Sequence, residues 1–97
     1  MKHCIIAKFG DMVADKKEAA AQVKALFAAA APVEGVTGIV IHENCVARDN
    51  RYDLMIVVEM AQDALGAWDA SEIHHQWKAQ FGGMLASKAI FRSEERR

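Results

Sequence analysis

The chain has little proline, little cysteine and no excess of charge, and each shortage removes a class of protein. One proline and six glycines in 97 residues exclude collagen-like and proline-rich low-complexity structure. The two cysteines, Cys4 and Cys45, form no C-x-x-C or other metal spacing, so free thiols in a reducing compartment are expected rather than a disulfide. Twelve Lys and Arg against thirteen Asp and Glu give a net charge of −1. No basic run exceeds Arg96-Arg97, which leaves no electrostatic footprint for nucleic acid or an anionic membrane surface. The longest uncharged apolar stretch, Ala25 to Val33, falls far short of the roughly 20 residues of a membrane span. The apolar run after Lys2-His3 is too brief for the core of a secretory signal. A cytoplasmic protein is the expectation.

What is there is a globular composition, 53% apolar and 26% charged. A chain of this length buries roughly 65% of its unfolded surface around one core, so residues 1–97 are expected to form a single domain. Lys2 to Phe9 alternates as a strand does, with His3, Ile5, Ala7 and Phe9 on one side. Asp15, with Glu18 three residues on, reads as a helix N-cap. Ala19, Val23, Leu26, Phe27 and Ala30 then mark one helical face as far as Pro32. Val36–Asn44 and Tyr52–Met60 alternate again, joined by the polar turn Ala47–Arg51, and should pair as a hairpin. From Gln62 to Phe81 the helical period returns, with Leu65 and Trp68 in a first segment and Ile73, Trp77 and Phe81 in a second; Ser71 divides them as a cap. Gly82-Gly83 ends this helix, and Lys88–Arg92 makes a last strand. The order βαββαβ predicts an α+β, ferredoxin-like fold: a four-stranded antiparallel sheet with both helices on one face.

The faces of that sheet carry the first functional expectation. With Ile5, Ala7, Phe9, Val40, Leu54, Ile56, Val58 and Met60 towards the helices, Cys4, Ile6, Ile39, Ile41, Met55 and Val57 are left uncovered. Soluble monomers seldom expose such a contiguous apolar patch. A second copy, sheet packed on sheet about a two-fold axis, is the economical cover, and Ile6, Ile39, Ile41, Met55 and Val57 are its expected interface.

Several segments in this order resemble the stress-responsive A/B barrel (Dabb) domain: Lys2-His3-Cys4-Ile5-Ile6-Ala7-Lys8-Phe9, Pro32-Val33-Glu34-Gly35-Val36, Tyr52-Asp53-Leu54 through Val58-Glu59-Met60, and His74-x-x-Trp77. The resemblance runs from Lys2 to about Arg92 and implies two ferredoxin-like subunits pairing as a dimeric α/β barrel. Most Dabb proteins have no assigned reaction. One plant member is a polyketide cyclase closing a ring by aldol chemistry between sheet and helices. Its catalytic histidine, the second of a His-Pro-Ala-His segment, matches His74, and the family's strand-one histidine matches His3. Here the segment reads Ser71-Glu72-Ile73-His74, and the cyclase's tyrosine partner falls on Trp68, which has no hydroxyl. The resemblance also implies a pocket for a small apolar or aromatic molecule, lined by Ile5, Ala7, Ile56, Val58, Trp68, Trp77 and Phe81.

Among the four histidines, His74 and His75 differ in direction by about 100° on a helix. Only His74 borders the Ile73–Trp77–Phe81 stripe; His75 points away. His3 shares a side with Ile5 and Ala7 and approaches the same space, making His74 and His3 the candidate acid–base pair. The competing role for His74 is a hydrogen-bonded plug in the helix–sheet seam. Cys4 faces away from His3 and His42 lies near a sheet edge, so no metal site and no cofactor is expected. Two functions remain in contention: a homodimer holding a small molecule with no reaction, and a cofactor-free enzyme, cyclase-like or monooxygenase-like, using His74. A cavity reached by His74 favours a binder or enzyme; an interior filled by side chains favours a structural module.

Overall fold

The computed structural model describes residues 1–46 and 51–94. The elements run β1 (Lys2–Phe9), α1 (Lys16–Ala28), β2 (Val36–Glu43), β3 (Leu54–Met60), α2 (Leu65–Ala70), α3 (Glu72–Phe81) and β4 (Leu85–Ser93). Short 3-10 turns at Gln62–Ala64 and Gly82–Met84 precede α2 and follow α3. The strands form one antiparallel sheet in the order β2-β3-β1-β4, the ferredoxin-like arrangement. Of the expected turn, Ala47 to Asn50 lie outside the described residues, as do Glu95 to Arg97 of the tail.

Local chemistry explains the boundaries. The Asp15 carboxylate accepts the Glu18 backbone N–H at 3.0 Å, which satisfies one of the free donors of the first turn of α1. Its buried face is Ala19, Ala20, Val23 and Phe27, and the helix ends at Ala28, ahead of Pro32. Ser71 separates α2 from α3 and accepts the His74 backbone N–H at 3.3 Å. Strand β4 starts at Leu85, three residues before the alternation of the sequence suggests. Gly35 enters β2 with φ +83°, and a Cβ there would stand 2.6 Å from the Ala64 Cβ. Gly35→Ala is therefore expected to cost about 1–3 kcal/mol, read as a lower Tm, because strain and clash act together.

The sheet packs one face on the helices. Ile5, Ala7, Phe9, Leu54, Ile56, Val58 and Met60 are buried with Val23, Phe27, Trp68, Ile73, Trp77 and Phe81 in a single core. On β2 the assignment of faces is corrected. Ile39 pairs with Val58 and Ile41 with Ile56, so both lie on the helix side, where they pack against the core. Val40, opposite Val57, is 53% exposed on the open face. The cause is a bulge between Val36 and Gly38: one extra residue inverts the side of every residue beyond it. The open face thus carries Cys4, Ile6, Val40, Met55 and Val57, joined from β4 by Ala89 and Phe91, which pair with Ile6 and Cys4. Phe91 is 62% exposed.

Candidate functional site

Strand β1 and the α2–α3 junction bring His3 and His74 against one side chain. His3 lies on the helix face of β1 and is 2% exposed. Trp68, from α2, is fully buried, with the His3 ring 6.4 Å away edge-on and the His74 ring at 5.7 Å, tilted. Phe27 of α1 stacks on Trp68 at 6.3 Å and meets Trp77 at 5.9 Å. The histidine pair thus sits at the outer end of the core's aromatic row. His74 is half-buried and His75 exposed, as their directions on the helix require.

The cross-strand register adds a third group. Arg92 pairs with His3 across β4, and its Nε–H donates to His3 Nδ1 at 3.0 Å. Burial lowers the His3 pKa from 6.5; the Arg92 charge and His74 lower it further, against an opposing pull from Asp69. A neutral His3 whose Nδ1 accepts must carry its proton on Nε2. His74 has the reverse constraint. Its Nδ1 is 3.1 Å from the Asp69 backbone oxygen, which can only accept, so Nδ1 carries the proton and a neutral His74 keeps its lone pair on Nε2. One imidazole offers a donor and the other a base.

The remaining expected ligand-contact residues, Ile5, Ala7, Ile56, Val58, Trp77 and Phe81, are all buried within the core, and Trp68 fills the space between His3, His74 and Phe27. Two of the surface clefts, each of about 500 Å³, lie elsewhere. One of about 490 Å³ is lined by Ala29 to Glu34 and by Ala67 and Ser71 to Ile73. The other, about 500 Å³, lies between Lys16, Lys17 and Glu43 to Val46. Neither touches His3 or His74. Cys4 and Cys45 are free thiols. Among the described residues, no three His, Cys, Asp or Glu side chains gather as a metal site needs, and no helix is long and apolar enough to cross a membrane.

Sequence reasoning missed Arg92 and Asp69. The available signal for Arg92 was the alternation of β4, which puts a cation among helix-facing positions; its partner depends on a register no periodicity supplies. Also missed was the Trp68 indole nitrogen, which is buried without a hydrogen-bond partner among the described residues.

No family model matches the chain. No curated protein matches it in sequence. Solved structures do. A dimeric ferredoxin-like protein of unknown function from Thermobifida fusca has a TM-score of 0.74 at 19% identity over 93% of this chain and 85% of its own. A protein of Arabidopsis thaliana matches at 0.72 and 19% identity, over 99% and 95%. A Dabb family protein with a ferredoxin-like fold from Mesorhizobium loti matches at 0.67 and 13%, over 93% and 90%. At such identities the likeness speaks for the fold. The resemblance to Dabb domains read from the sequence thus extends to the architecture, and the chain has the ferredoxin-like fold of the Thermobifida and Mesorhizobium proteins.

Proposed function

We propose that the chain works as a homodimer, two sheets packed face to face as in a dimeric α/β barrel. The observation that carries this is the open sheet face: Phe91, Val40 and Met55 are exposed, and they adjoin Cys4, Ile6, Val57 and Ala89 through the strand register. At about 4.8 Å between strands and 3.3 Å per residue, four strands present on the order of 500 Å² in projection. Side-chain relief brings this towards the roughly 800 Å² per partner of a standard interface. Lys2 and Glu59, paired at 3.9 Å and both exposed, supply a polar rim. The dimeric Thermobifida protein supports the same reading. Ile6, Met55 and Val57 stay in the proposed interface; Ile39 and Ile41 give their places to Val40 and Phe91. Sedimentation at micromolar concentration is expected to show twice the chain mass. A stable monomer would overturn the proposal.

A second reading, cofactor-free acid–base chemistry on a small, largely apolar carbonyl compound, rests on the complementary tautomers of His3 and His74; the space between them is filled by Trp68, as in a structural module, so this chemistry requires His74 to swing outward. His74 Nε2 takes a proton from the carbon beside the carbonyl, the C–H electron pair becomes a C=C bond as the carbonyl π pair moves onto the oxygen, and the His3 Nε2–H faces the charge that develops there. The expected result is protein-dependent deuterium exchange into the methyl group of acetophenone in D2O, lost in His74→Gln. Exchange no faster than in buffer, or unchanged in His74→Gln, sinks this reading and leaves His74 as a plug in the seam.

A further inference from the structure

Phe91 stands exposed on the open side of the edge strand β4, a phenyl ring held in water. The same face carries a hollow of about 230 Å³, bordered by Ile6 of β1, Met55 of β3, His42 of β2, and by Asn44 and Tyr52 just beyond the strand ends. Its outer wall is held in place. The hydroxyls of Tyr52 and Ser87 share a hydrogen bond of 3.0 Å, and the Asn44 side-chain amide donates to the Tyr52 carbonyl oxygen at 2.7 Å. The hollow is smaller than the roughly 300 Å³ at which small-molecule pockets begin. An imidazole and a phenol ring on its border suit a single aromatic side chain. Phe91 of the same chain is too far away to enter. Met55 pairs with Ile6 and Phe91 with Cys4, so Phe91 lies two strand spacings across and two residues along from Met55, about 12 Å.

We propose that in the homodimer each Phe91 seats in the hollow of the other copy, against Met55 and Ile6 and between the rings of His42 and Tyr52. The inference rests on the homodimer read above and adds how the two copies are oriented. A two-fold contact is reciprocal, so both rings leave water together. The axis lies between the sheets and must bisect the line from Phe91 to Met55. It therefore crosses β1 between Cys4 and Ile6, in the middle of the apolar patch.

The test mixes isotope-labelled and unlabelled chains and records contacts between copies by filtered NMR spectra. Ring protons that disappear in Phe91→Leu are expected to meet the Met55 methyl of the other copy, a contact too distant to arise within one chain. Phe91→Ala removes an exposed side chain and spares the core. It should weaken the dimer at least about a hundredfold in sedimentation, since two rings lose their seats. His42→Ala, also at an exposed position, should weaken it severalfold alone and add almost nothing to Phe91→Ala; residues so far apart in one chain act independently unless they meet across the interface. A stable wild-type monomer overturns the homodimer and the seating together. A dimer in which Phe91 meets the partner's Phe91 and not Met55 overturns the seating and spares the dimer, as does full additivity of Phe91→Ala with His42→Ala. Toluene that shifts the Met55 methyl signal of the intact dimer shows the hollow to be open, and overturns the seating as well.

Discussion

Val57→Glu is expected to abolish the dimer. Val57 stands in the middle of the open face, between Cys4 on β1 and Val40 on β2. A two-fold axis brings every such substitution in twice. The variant would bury two carboxylates among apolar side chains, a cost of several kcal/mol per charge. Each 1.4 kcal/mol is a factor of ten in the association constant, so micromolar protein should sediment as a monomer or lose its fold. Ala21→Glu, on the exposed side of α1, adds the same charge away from the face and should leave the dimer intact. A Val57→Glu protein that still sediments with the wild type assigns the interface elsewhere.

The difference between Val57 and Ile39 shows where sequence patterning carries information and where it stops. In β1 the flanking lysines and the alternation His3, Ile5, Ala7, Phe9 fix both limits and parity, and Lys2–Phe9 is the observed strand. In β2 the run Ile39-Val40-Ile41 is apolar on both sides, so a period of two has nothing to distinguish. The bulge between Val36 and Gly38 then decides which side faces the helices. Bulges arise from backbone hydrogen bonding to a partner strand, and a single strand's composition does not encode them. The histidine pair was legible because each position follows from one element's own period: His3 from β1, His74 from the stripe of α3. Arg92 was not, because its contact with His3 depends on the β1–β4 register, which shifts between Lys8 and Phe9. The filled space around Trp68 was hidden for a related reason: the alanines of α1 do not fix helix tilt, and Phe27 closes the gap by stacking at 6.3 Å.

Acid should weaken the fold through His3, and the pH window follows from the direction of its shift. Its pKa is lowered from 6.5, first by burial and then by the Arg92 charge. Between the folded and unfolded values the unfolded chain binds more protons, so stability rises with pH there. The contribution of neutral His3 is complete above 6.5 and is lost as pH falls from that value through the folded pKa. Protonation turns Nδ1 from acceptor to donor, breaks the bond from Arg92 Nε and sets two cations together. Because β4 is an edge strand, its Arg92 end should open first. Amide exchange at Ala89 and Phe91, which oppose the β1 residues turned towards β4, should accelerate before that of β3. His3→Asn retains an acceptor near the Nδ1 position and cannot ionise. It should flatten the denaturation midpoint between pH 7.5 and about 5.5, above the ordinary carboxylate range, while the wild-type midpoint falls. A wild-type midpoint level across that window, or a His3→Asn midpoint falling in parallel with it, would show that the buried imidazole is not the acid-sensitive group.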